Sequence, residues 1–137
     1  MTDLERARMH LDSGNYTCVV CKEDAIYFAT ERGVKPLLNW LDAGMDLKEF
    51  SAADKVVGRA TAFLYSLLGV QTVYANVMSQ PAAQVLEDNG ITAQWGKLVD
   101  GIINRQGTGP CPFEAAVMEI QDPQEALTAI RNKMAQI

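Results

Sequence analysis

The residue pattern predicts an α/β protein, a three-layer sandwich with a mixed sheet between helices, and three observations carry that prediction. Two early β-rich runs separated by a pair of acidic residues read as an antiparallel hairpin. From residue 70 onward, apolar strand-like runs alternate with capped helical runs, the order that builds parallel strands joined by helical crossovers. A length of 137 residues, 48% hydrophobic and 21% charged, suits one domain that buries a core without disulfides or metal.

Leu4, Ala7 and Leu11 recur at helical spacing with Gly14 as a stop. An amphipathic helix over 3–13, in an amino-terminal segment 1–14, therefore packs on the rest of a single domain of residues 1–137. Runs 16–22 and 25–31, rich in aromatic and β-branched residues, form the arms of the hairpin around Glu23-Asp24. Pro36 suits the first turn of a helix carrying Leu37, Leu38 and Leu41, with Gly44 ending it. Ser51-Ala52-Ala53-Asp54 reads as a variant capping box opening a central, buried helix. Val56, Val57, Ala60, Phe63, Leu64, Leu67 and Leu68 fill a wide apolar arc of that helix before Gly69.

Val70 to Val77 is apolar enough for a strand covered on both faces. Ser79-Gln80-Pro81 starts the next helix and Asn89-Gly90 stops it. Strands are expected at 91–95 and 98–103, then a glycine-rich turn and a short helix through 115–119. A last helix is capped by Asp122 and carries Leu127, Ile130 and Met134 on one face.

The balance of 17 acidic against 12 basic residues gives a formal charge of −5. That charge repels phosphate backbones and anionic lipid, which argues against nucleic-acid and membrane partners. Residues 1–6 show no basic stretch leading into an apolar run, and no run reaches membrane-spanning length, so the expected location is cytoplasmic. A reducing compartment keeps the three cysteines as thiols. Cys18 and Cys21 have the spacing of a redox or zinc pair, but a strand sends residues three apart to opposite faces, so neither chemistry is expected there.

The run Asp54-Lys55-Val56-Val57-Gly58-Arg59-Ala60-Thr61-Ala62, then Asn104-Arg105, then Gly109-Pro110-Cys111-Pro112-Phe113-Glu114 resembles a small uncharacterised prokaryotic family. That family is a domain of unknown function grouped with the cytidine-deaminase-like fold. The resemblance covers roughly residues Leu11 to Glu119. It implies the fold and no activity, because the family has none established. A working zinc deaminase needs a His or Cys two residues before a catalytic Glu on one helix, and Pro-Cys-x-x-Cys opening the next. The corresponding starts, Ala53-Asp54-Lys55-Val56 and Ser79-Gln80-Pro81-Ala82-Ala83, hold no such ligands, and Glu114 stands where the second Cys would. Neither zinc nor another cofactor is expected. The one histidine, His10, belongs to the first helix.

The candidate site residues gather around these segments. Lys55 and Arg59, four apart near a helix start, would meet a phosphate or carboxylate, while Asp54 holds a hydroxyl, accepts a proton, or only completes a cap with Ser51. Gly58, costly inside a helix by about 1 kcal/mol, would permit close approach of a ligand or backbone. Ser79 is a cap whose neighbouring N–H groups face the same edge. Gly107-Thr108-Gly109 would wrap an anion, with Asn104 and Arg105 adding hydrogen bonds.

Cys111, at a helix start, is an activated nucleophile, a polar contact or a small buried residue, and no histidine is placed as its base. Glu114 is a general base or a cap bonding back to its own turn. The combined expectation is a zinc-free domain binding a small anionic metabolite, such as a nucleotide or nucleotide-sugar derivative, at the common edge of its helices. One alternative is a cysteine- or carboxylate-dependent transferase or hydrolase in the same pocket, with Cys111, Glu114 and Asp54 as catalytic groups. The other is a non-catalytic assembly module that forms a homodimer through the 37–41 helix.

Overall fold

The computed structural model describes residues 1–103, 106, 107, 109 and 111–136. Strand β1 (Cys18–Lys22) and strand β2 (Ala25–Ala29) form the expected hairpin, turning through Glu23 at φ 52. On its other side β1 pairs antiparallel with β3 (Ser51–Val57). Strand β3 then runs parallel to β4 (Thr72–Ser79), and β4 to β5 (Thr92–Val99). The sheet is mixed, in the order β2-β1-β3-β4-β5.

Helix α1 (Asp3–Ser13), closed at its start by a Thr2–Glu5 capping box, covers one face, where Ala7 and Leu11 meet Val19, Cys21 and Ala53. Helices α2 (Lys35–Asp42), α3 (Arg59–Leu68), α4 (Gln80–Asp88), α5 (Pro112–Val117) and α6 (Pro123–Ala135) contribute to the core on the other. Cys18 belongs to that second core, so Cys18 and Cys21 lie on opposite faces. Among the described residues no helix is long and apolar enough to cross a membrane.

The main departure from expectation is at residues 51–57, which form the middle strand of the sheet and not the start of the central helix. Helices cover both faces here, so Ser51, Ala52, Ala53 and Asp54 are all buried. Small side chains suit that narrow space, and without β-branched residues they carry no strand signature. Beyond Asp54 the alternation slips by one residue, placing Val57 in the same core as Ala52 and giving a spacing that mimics a helical stripe. The helix proper starts at Arg59, with Gly58 as N-cap. A second correction concerns 91–103: the two expected strands are one edge strand, β5, whose exposed Gly96 and Lys97 interrupt the apolar run. On α2, Leu37 and Leu38 are only 1% and 6% exposed, packed into the chain's own core.

Candidate functional site

Parallel strands place their carboxyl ends, and the starts of the helices that follow, on one edge of the sheet. At that edge lies a pocket of about 210 Å³ lined by Arg59, Pro81, Asp100, Gly101, Ile102, Glu114 and Met118. A groove of about 320 Å³ separates α2 from α6 and is bridged by an Arg131–Asp42 ion pair at 2.8 Å. The groove is larger, but it lies away from the strand ends. The edge pocket is the candidate because it combines charged groups, apolar walls and two helix starts.

Those two starts are closed differently. For α4, the fully buried Ser79 at the end of β4 accepts a hydrogen bond at Oγ from the Ala82 N–H at 3.1 Å, and Pro81 removes a donor that would need a partner. For α3, Gly58 has no side chain to offer. Glu114, on α5 and 55 residues farther along, supplies the acceptor: Oε2 accepts from the Arg59 N–H at 2.7 Å and Oε1 from the Ala60 N–H at 3.2 Å.

Arg59 returns the favour in the opposite direction. Its Nε donates to the Val117 carbonyl at 3.0 Å and a terminal nitrogen donates to the Ile120 carbonyl, so the guanidinium holds the end of α5 while lying 5.0 Å from the Phe63 ring centre. A β-carbon at Gly58 would collide with the Glu114 carboxylate. Gly58 is closely approached, but by side chains of the same protein and not by the backbone or ligand expected, and its position is a cap, not a helix interior. Glu114 caps α3, and not its own turn. Burial pushes its pKa up, against the opposing pull of the two N–H donors and Arg59.

The other expected residues are dispersed. Asp54 is buried behind Tyr65, whose hydroxyl donates to Oδ2 at 2.7 Å, while the Val56 N–H donates to Oδ1 at 3.3 Å. Burial raises its pKa to about 7, and it also pushes up the neighbouring Tyr65 hydroxyl and the Cys18 thiol, which lies across the β1–β3 ladder. Lys55 is exposed on a strand and does not share a helix start with Arg59.

Cys111 is half-buried at the N-cap of α5, with its N–H donating to the Ile102 carbonyl at 3.0 Å, and it does not line the pocket. Gly107 is exposed with φ 71, and an added β-carbon at Gly107 or Gly109 would meet nothing within 4 Å. Asn104, Arg105 and Thr108 lie outside the described residues. Among the described residues no three His, Cys, Asp or Glu side chains group as a metal site would require.

Pro81, Asp100, Gly101, Ile102 and Met118 line the pocket without having been expected there. The segment 100–102 follows directly on β5, so the position of the strand's carboxyl end is the signal that identifies it once β5 is recognised as ending at Val99. Met118 is placed only by the packing of α5 and carries no sequence signal.

The family model for the TM1506 domain of unknown function, DUF1893, matches residues 6–134. A crystal structure of a DUF1893 family protein from Thermotoga maritima aligns with a TM-score of 0.85 at 22% sequence identity, covering 100% of this chain and 92% of that chain. That likeness speaks for the fold. No curated protein matches.

Proposed function

The chain belongs to the DUF1893 family, and from there we propose that it is a zinc-free, cytidine-deaminase-like domain that binds a small metabolite in the edge pocket. Support for the superfamily comes from the hairpin followed by parallel strands in the order β2-β1-β3-β4-β5, with α3 and α4 opening on one edge. The starts of α3 and α4 read Gly58-Arg59-Ala60-Thr61 and Ser79-Gln80-Pro81-Ala82. Neither contains a His or Cys, so this donor set does not fit zinc, and no step passes through a metal.

One observation carries the binding reading: a partly buried carboxylate, Glu114, forms a wall of a pocket at the carboxyl ends of parallel strands. The reading favours binding over catalysis. Cys111 is outside the pocket lining, and His10 packs against Phe28 with ring centres 5.7 Å apart, so among the described residues no histidine is brought to the thiol. A reducing, cytoplasmic setting would suit the buried Cys18 and Cys21 thiols, which lie on opposite faces of the sheet. A fragment screen followed by amide NMR tests the proposal. Hits should perturb Gly101, Ile102 and Met118 together; hits confined to the α2–α6 groove, or none in a broad screen, would sink it.

A further inference from the structure

We propose that the edge pocket selects a compact organic cation, an amine or amidinium carried on a small apolar body, in place of the anion that the basic residues suggested. The inference rests on the binding reading above and assigns its ligand class. Among the described lining residues, Glu114 and Asp100 are carboxylates and Arg59 is the single cation. Arg59 is 8% exposed, and its guanidinium is committed to the carbonyls of Val117 and Ile120. The N–H groups of Arg59 and Ala60, which would otherwise draw an anion to the start of α3, already donate to Glu114. An entering anion would have to displace that carboxylate while facing Asp100.

A cation meets the reverse situation. Among the described residues each Glu114 oxygen accepts one backbone bond, which leaves it capacity for a further donor. Burial raises the pKa of this carboxylate despite those two bonds, so its negative charge is incompletely compensated. A charge-assisted hydrogen bond from a ligand cation would supply what is missing. The net charge of −5 favours approach of the same sign of ligand. Pro81, Ile102 and Met118, the last 61% exposed, give the mouth an apolar rim suited to a ring or short hydrocarbon. The volume of about 210 Å³ lies below the ~300 Å³ at which drug-sized sites begin, which restricts the ligand to roughly one ring.

Benzamidine and benzoate, similar in size and opposite in charge, test the assignment by NMR titration, with benzyl alcohol as the neutral control. Benzamidine should bind about tenfold tighter than either, with shifts centred on Gly101, Ile102 and Met118. Glu114→Gln should weaken it about tenfold. Because Glu114 also caps α3, the exposed Asp100→Asn provides an independent variant, expected to weaken benzamidine about threefold without disturbing the fold. Benzoate or benzyl alcohol binding in the pocket as tightly as benzamidine overturns the cation assignment and leaves the pocket standing. Benzamidine binding that neither variant weakens also overturns the assignment. If none of the three probes perturbs those residues, the cation assignment fails, and the binding reading fails with it only if the broad fragment screen is also without hits there.

Discussion

Helices α3 and α4 open on the same pocket and close their first turns in opposite ways. Helix α4 is self-sufficient, with its cap on the residue before it and its proline one residue inside. Helix α3 begins at a glycine and takes its cap from a carboxylate 55 residues away, while its own first side chain holds the far helix in return. The comparison teaches that a helix start without a local cap is not thereby a place for a ligand. The chain itself can fill it, and the residues that fill it then serve structure and pocket together.

Removing the distant cap should be the largest blow. Glu114→Ala leaves two N–H groups without an acceptor and should lower stability by about 3 kcal/mol, measured by urea denaturation. A loss no greater than that of Ser79→Ala would break the comparison. Gly58→Ala should follow at about 2 kcal/mol, because the new methyl pushes against the carboxylate. Its cost should shrink in a Glu114→Ala background, and additive costs would show that the collision is not the cause. Ser79→Ala should cost about 1 kcal/mol, the usual value of a lost local cap.

The gentlest test is pH, since the distant cap brings a charge and the serine does not. Glu114 is raised above its usual value, and Asp54 is raised from 3.8 to about 7. A folded pKa above the unfolded one means that these groups stabilise fully below the unfolded values. That contribution is lost as pH rises through the folded ones. The protein should thus be less stable at pH 8 than at pH 5 in thermal melts, and Asp54→Asn, which keeps an acceptor for Tyr65, should flatten the difference. An unchanged slope in that variant would locate the titration elsewhere.

The same contrast explains what the sequence revealed. Ser79 and Asp122 cap the helices that follow them, so α4 and α6 were legible from a few adjacent residues. The hairpin was legible because its β-rich arms flank a short acidic turn. Strand β3 was hidden because Ser51, Ala52 and Ala53 are chosen by the thinness of a doubly covered layer, which leaves no alternation to read. The site was legible only in its ingredients. Glu114, Arg59 and Gly58 stood out as residues, but their mutual arrangement depends on α5 packing on α3, which no local pattern encodes. Asp54 and Lys55 were misplaced by the same error that made β3 a helix.

The reciprocal cap also has a bearing on time. During synthesis at ~5–20 residues per second, the 55 residues between Arg59 and Glu114 take roughly 3 to 11 s to add. Throughout that interval the first turn of α3 can be satisfied only by water, although the strands and apolar residues it packs against are already being made. The pocket edge is therefore the last part of the parallel sheet to close. If the cap also forms late when the complete chain refolds, substitutions at Glu114 should speed unfolding more than they slow folding in stopped-flow measurements.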